Sequence, residues 1–301
     1  MQGLERLKMY AEQLGCAFTE HEPMSRHTSF KIGGEADIVL TPQNKETLSF
    51  ILSACERWEV PCYVLGNGSN ILVSDTGVRG AVVLTAGLDD IRLVDTYTIE
   101  CGAGVKNSRL CSFALENSLS GFEFLWGIPG TVGGGAYMNA GAYGGEMKDI
   151  FVKSAHINKD GTFGEYDADE IGYGYRKSAY SEQGGIITSV TLRGTPADQA
   201  MIRARMDELM QRRKDKQPLE YPSAGSVFKR PEGYYAAALI EECGLKGLSH
   251  GGACVSEKHS GFIVNKGGAT ASDVKILIEK IKEQVFLQKD VRLECEIKFL
   301  G

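Results

Sequence analysis

Apolar and polar positions change period repeatedly along this chain, and each change marks an element. Residues 2–15 predict a short amphipathic helix. From 36 to 115 the two periods alternate. ADIVLTP (36–42) is strand-like, KETLSFILSACERW (45–58) is helical, and VPCYVLG (60–66) is an apolar strand ending in glycine. ILVSD (71–75), GAVVLT (80–85) and YTIECGAG (97–104) predict further short strands, and NSRLCSFALEN (107–117) a helix. Strand followed by helix, repeated, indicates an α/β or α+β domain.

Short strands resume at KSAHINK (153–159), EYDADEI (165–171) and GGIITSVTLRG (184–194). Residues 197–216 predict a helix with Ile202, Met206 and Leu209 on one stripe. Its last turns carry Arg212, Arg213, Lys214 and Lys216, which read as a solvated basic face suited to the negative end of the helix dipole. Pro218 and Pro222 bracket a boundary. Beyond it come a helix at 234–243, strands near 252–264 and a long helix at 272–288. In that long helix Val274, Leu277, Ile278, Ile281 and Val285 share a face. In the predicted closing strand Val291, Leu293, Cys295, Ile297 and Phe299 alternate with Arg292, Glu294, Glu296 and Lys298.

Composition sharpens this outline at one point. Glycine supplies 37 of 301 residues, well above the usual share of about 7%. Nine glycines fall within 121–145, interleaved with Trp126, Ile128, Pro129, Val132, Tyr137, Met138 and Tyr143. Flexible linkers lack such residues, so an ordered loop is expected. The formal charge of −6 argues against a nucleic-acid or anionic-membrane partner. The first residues carry charges throughout and no apolar leader segment, and no apolar run approaches ~18 residues. The eight cysteines form no C-x-x-C pair and the five histidines no H-E-x-x-H, so no metal site is expected. Reduced, mostly buried thiols in a cytoplasmic protein are the expectation.

Three glycine motifs bear on ligand chemistry. CGAGVKNSRL (101–110) follows a strand and opens a helix, but lacks the third glycine and the acidic partner of a dinucleotide fingerprint. GNGSN (66–70) follows an apolar strand; its amides, with Ser69 and Asn70, suit a pyrophosphate, while an ordinary strand-end turn is the alternative. IPGTVGGGAYMNAGAYGG (128–145) offers a second set of amides. There Thr131, Asn139 and the backbone near Gly141 and Ala142 are expected to reach a flat polar ring system. Two glycine-rich loops at strand ends suggest one long ligand, and a dinucleotide fits.

With HTSFKIGGEAD (27–37), YRKS (175–178), AGSVFKRP (224–231) and LECEIKFLG (293–301), these motifs occur in the order seen in UDP-N-acetylenolpyruvoylglucosamine reductases. The chain resembles that family from about residue 20 to its end. The resemblance implies an α+β fold: a two-subdomain FAD-binding domain of the vanillyl-alcohol oxidase-like (PCMH) type over 1–215, divided near 84/85, then a smaller α+β substrate domain over 216–301. It implies non-covalent FAD held by Asn67, Gly68, Ser69, Asn70, Gly130, Thr131, Gly133, Gly134, Asn139, Gly141, Ala142 and Gly144. It further implies NADPH as hydride donor and a UDP-sugar substrate in peptidoglycan precursor synthesis.

The family's catalytic positions fall on Arg176, Ser226 and Glu296. By resemblance Arg176 pairs with the substrate carboxylate, Ser226 donates a proton to carbon and Glu296 polarises the intermediate; Lys229, three residues after Ser226, is a candidate neighbour in its relay. Without the family context each reads more simply: a surface arginine, a Gly-Ser turn and a solvated strand face. The anionic substrate calls for cations, and Lys229, Arg230, Lys258 and Lys266 are expected at its UDP end, with Tyr175 beside Arg176. Arg230 and Cys254 depart from the residues many relatives carry. The 50 positions from Arg176 to Ser226 match the shorter subclass, which lacks an added tyrosine-bearing loop. Two alternatives are another FAD oxidoreductase of this fold acting on a small alcohol or sugar, and a nucleotide-sugar-binding protein without catalysis.

Overall fold

The computed structural model describes residues 2–301. They form two compact units. The first takes the chain up to Glu20, Ile38–Asn67 and Gly80–Arg213; the second takes His21–Asp37, Gly68–Arg79 and Lys214–Gly301. The units are therefore not the two continuous stretches expected from the sequence. The physical reason is long-range pairing. Ile71–Val73 pairs in parallel with Lys298–Leu300, and Phe30, Ile32 and Leu72 are buried in the core built by the C-terminal residues.

The first unit holds α1 (Gln2–Gln13), α2 (Lys45–Arg57), α3 (Asn107–Glu116), α4 (Val132–Met138), α5 (Ala179–Gln183) and α6 (Gln199–Lys216) as far as Arg213. The Asn44 side chain caps α2 by accepting from Thr47 N, and Leu48, Ile51, Ala54 and Cys55 turn inward at helical spacing. A five-stranded antiparallel sheet runs in the order Phe163–Asp167, Phe151–Ile157, Ile186–Arg193, Thr98–Gly102, Ile91–Leu93. Cys62–Leu65 lies parallel to Val78–Leu84, in register Cys62 to Ala81, and Leu65 delivers the chain to GNGSN.

The glycine-rich stretch is not all loop. It contains α4, a helix with three glycines in seven residues. Glycine costs about 1 kcal/mol each in a helix interior, so tertiary contacts must hold α4. They are present: Val132 N donates to Val105 O at 2.8 Å and Gly133 N to Ala103 O at 3.0 Å. A Cβ on Gly133 would lie 2.7 Å from the Ala103 side chain, and one on Gly135 would lie 2.8 Å from Met147.

The second unit has a four-stranded antiparallel sheet ordered Ser223–Ser226, Phe262–Asn265, Ala253–Val255, Ser249–His250. With it come α7 (Ala236–Glu242) and α8 (Ala271–Lys289). Thr270 and Asp273 form a capping box at the start of α8. The Asp75 carboxylate also accepts from Ala271 N at 2.6 Å and Ser272 N at 2.9 Å. The closing strand is shorter than predicted: only Lys298–Leu300 is a strand, because its partner Ile71–Val73 has three residues. Leu293 and Ile297 are buried while Phe299 is 46% exposed, so the alternation holds only in part.

Candidate active site

In the first unit the site forms around α4 and the hairpin that follows. Thr131 caps α4, its hydroxyl accepting from Gly134 N at 3.3 Å, and Gly135 N donates to Thr131 O at 2.8 Å. The amides of Val132, Gly133, Gly134 and Gly135 are thus all spent inside the protein, which corrects the expectation that this loop presents them to a ligand. Gly133 is there for close packing. The open positions are Gly134, whose added Cβ would meet nothing nearer than 3.5 Å, and Gly144, where it would meet nothing within 4 Å. Gly141–Ala142 pairs with Gly145–Glu146, with Tyr143 (φ 56°) and Gly144 (φ 89°) at the tip. Gly130 accepts from Asn107 N.

Asn139 ends α4 at φ 44°. Its Nδ2 donates to Gly174 O at 3.0 Å and Glu146 Oε2 at 3.1 Å, while its Oδ1 accepts from Lys148 N at 3.0 Å. Both amide hydrogens are used, so the side chain does not reach outward to a ring as expected. It grips a tight turn instead. Gly174 and Lys177 exchange both backbone bonds, at 3.1 and 3.3 Å, leaving Tyr175 and Arg176 at the tip with Arg176 at φ 55°. The Arg176 guanidinium lies 5.1 Å from the Tyr175 ring centroid. Ser178 anchors the other side, donating to Tyr137 O at 2.7 Å. Glu146 is held below the usual carboxylate range by its bond to Lys148, by Asn139 and by the positive charge of Arg176.

Three buried polar atoms of this unit lack a partner: Asn107 Oδ1, Tyr173 Oη and Arg213 Nε. Arg213 is only 8% exposed, which overturns its reading as a solvated residue at the end of α6. It continues the stripe Ile202, Met206, Leu209 by one more turn, and that spacing was the available signal. Burial pushes its pKa down, with Tyr143 acting the other way. A Cβ on Gly127 would lie 2.5 Å from Arg213 Cδ. A buried cation and a buried acceptor, each incompletely bonded beside the glycine loop, fit a large polar anionic cofactor.

The glycines of CGAGVKNSRL have another cause. An added Cβ on Gly102 would lie 2.2 Å from Leu88 O, and on Gly104 1.9 Å from Thr85 O. They permit backbone packing, not phosphate binding. In GNGSN, Asn67 is exposed and closes a segment of the first unit. Gly68 stands at φ 58°, and a Cβ there would lie 2.0 Å from His27 O. The amides of Gly68, Ser69 and Asn70 donate to no protein acceptor among the described residues, a donor set suited to a phosphate.

In the second unit Asn70 is tied to the C-terminus: its Nδ2 donates to Glu296 O at 3.2 Å, and Lys298 N donates to Asn70 O at 2.9 Å. Glu296 N in turn donates to Val227 O at 2.7 Å, and Lys229 N to Glu294 O at 2.9 Å. This irregular ladder brings Glu296 beside buried Val227, the residue that follows Ser226; Ser226 and Glu296 are half-buried. Of the basic residues expected at the UDP end, Lys229 is ion-paired with Glu294 at 3.0 Å. Arg230 stacks 4.7 Å from the Tyr235 ring centroid. Lys258 reaches Lys214 O and Glu220, and Lys266 and Tyr175 are exposed. Among the described residues no cluster of three or more His, Cys, Asp or Glu is arranged to hold a metal, and no helix is long and apolar enough to cross a membrane.

Comparison with known proteins first defines the class. Residues 36–165 match an FAD binding domain, and residues 217–300 match the C-terminal domain of UDP-N-acetylenolpyruvoylglucosamine reductase. The α+β fold is thus an FAD-binding domain with a smaller second domain, as the resemblance implied. A reductase of that name from Clostridium botulinum (strain 657 / Type Ba4) is 47% identical over 93% of this chain and 91% of its own length. One from Clostridium perfringens (strain SM101 / Type A) is 45% identical over 94% of this chain and 93% of its own. The crystal structure of the Thermus caldophilus reductase superposes with a TM-score of 0.81 at 37% identity, covering 95% of this chain and 99% of that one. The chain belongs to the UDP-N-acetylenolpyruvoylglucosamine reductase family.

Proposed function

We propose that this protein is an NADPH-dependent flavoprotein that reduces the enolpyruvyl ether of UDP-N-acetylglucosamine to UDP-N-acetylmuramate, a cytoplasmic step in peptidoglycan synthesis. One observation carries the reading: a chain 47% identical to a reductase of that name retains all three side chains the chemistry needs, Arg176, Ser226 and Glu296. FAD, when bound, would supply the electron chemistry, the passage of a hydride from NADPH to the vinyl carbon. Gly68, Ser69 and Asn70 would hold it through their amides, and Asn107 and Arg213 through their unpartnered polar atoms.

The remaining work falls to this chain's residues. The Arg176 guanidinium pairs with the substrate carboxylate, where a planar, permanently charged fork orients it. Negative charge builds on the adjacent carbon and spreads into that carboxylate, so the same guanidinium opposes it. Glu296 polarises this charge, and the Ser226 hydroxyl gives its proton to the carbon. Support for the last two roles comes from the 2.7 Å bond between Glu296 N and Val227 O, next to Ser226. No nucleic acid or membrane takes part.

The test is NADPH consumption by the flavin-loaded protein with and without the enolpyruvyl sugar. Substrate-dependent oxidation is expected, and its absence overturns the function. Ser226→Ala should leave flavin reduction by NADPH intact and slow reoxidation by substrate about 10²–10⁴-fold. Equal loss in both halves would remove Ser226 as the donor. Flavin that stays on acid-precipitated protein would favour an oxidase with a tethered cofactor.

A further inference from the structure

Asn139 makes three side-chain hydrogen bonds, yet none of its polar hydrogens is left for a ligand. We propose that Asn139, oriented by Glu146, is a positioning residue that clamps the turn carrying Arg176, so that the guanidinium is preset for a substrate carboxylate. This rests on the function proposed above. Asn139 is left-handed at φ 44°, where glycine would be easiest, and the chain uses glycine freely nearby. An asparagine at such a position is held there by what its side chain does.

The side chain joins three segments that are distant in sequence. Oδ1 holds the start of Met147–Asp149 through Lys148 N, one Nδ2 hydrogen goes to the Glu146 carboxylate, and the other to Gly174 O, 35 positions away. Gly174 is the first residue of the four-residue turn whose third is Arg176. Arg176 is itself left-handed, and a strained turn tip relaxes unless its flank is fixed. Glu146 sets the polarity of the clamp. Its carboxylate accepts from both Asn139 and Lys148, so the amide must point Nδ2, not Oδ1, toward Glu146 and Gly174. The charge of Arg176 also acts on this carboxylate, so the clamp and the guanidinium are electrostatic neighbours.

Two variants separate the clamp from the fold. Asn139→Gly keeps the left-handed backbone and removes all three bonds. Asn139→Asp with Glu146→Gln reverses the polarity of the 139–146 bond and so restores it, but presents an acceptor to Gly174 O and leaves that bond broken. Both should bind one FAD per chain and be reduced by NADPH at near the wild-type rate. Calorimetric titration supplies the readout free of turnover. Affinity for UDP-N-acetylmuramate, which bears the carboxylate, should fall about tenfold in both variants, in line with misplacing one oriented ion pair. Affinity for UDP-N-acetylglucosamine, which lacks the carboxylate, should stay within twofold. Equal weakening for both ligands, or none for either, overturns the clamp, as does loss of FAD from Asn139→Gly with normal ligand affinity once cofactor is restored. A wild-type protein that shows no substrate-dependent NADPH oxidation would instead overturn the function on which the clamp rests.

Discussion

Replacing Arg176 in two ways separates what its side chain does from what its backbone costs. Arg176 stands at φ 55° in a turn closed by two backbone bonds between Gly174 and Lys177. An L-residue in this region costs roughly 1–2 kcal/mol. Alanine keeps that strain; glycine relieves it, but gives back roughly 0.5–1 kcal/mol through the freedom of its unfolded chain. Both variants equally lose the contact with Tyr175, an exposed ring worth about 0.5–1 kcal/mol. Arg176→Gly should therefore be more stable than Arg176→Ala by about 0.5–1 kcal/mol, seen as about 1–4 °C in the melting of the first unit. Both should lose about 10²–10³ in turnover, the usual effect of removing one group aimed at developing charge. Denaturant titration at matched FAD saturation reads the first effect, and NADPH oxidation the second. Equal stability, or an advantage for alanine, would refute the strain at this tip. Turnover within tenfold of wild type in either variant would refute the carboxylate role.

Two further outcomes follow from buried groups. Arg213→Met removes a buried cation with an unpartnered Nε, so the apoprotein should melt at the same or a higher temperature while FAD binds at least tenfold more weakly by flavin fluorescence; unchanged FAD affinity would show that Arg213 does not face the cofactor. Burial lowers the pKa of His156 and His259, so both stay neutral in the fold and take up protons on unfolding. Their contribution is complete above about pH 6.5 and lost as pH falls through the folded values; His156→Gln should flatten the decline measured by urea titration between about pH 7 and 5, and an unchanged slope would assign it elsewhere.

The regular helices were legible because local rules govern them. The helical pattern at 45–58 and the apolar face at 272–288 end within a residue of the observed Lys45–Arg57 and Ala271–Lys289, which the structure shows capped by Asn44 and Thr270. What stayed hidden depends on partners far along the chain. Three glycines argue against a helix at 132–138, and only contacts to Ala103 and Val105 make one. Nothing local announces that Ile71–Val73 pairs with Lys298–Leu300, so the second unit could not be read as discontinuous. The charge of Arg213 suggests solvent, whereas its spacing from Leu209 matches the buried stripe it continues. The catalytic candidates came from family motifs, whereas the role of Asn139 needed the geometry of its three bonds.

The glycine excess itself acquires a different meaning. Gly133, Gly135, Gly102 and Gly104 allow backbones to approach, and only a minority such as Gly134 and Gly144 leave open space. The more telling positions are those where glycine would be expected and is absent. Asn139, Tyr143 and Arg176 all adopt positive φ within one unit, in or beside a stretch where nine of 25 residues are glycine. A side chain retained against that backbone preference is retained for what it does. Asn139 spends its amide on the turn that presents Arg176, and Tyr143 lies close enough to influence buried Arg213. On the function proposed above, the strain in this region marks side chains that serve the site rather than the backbone.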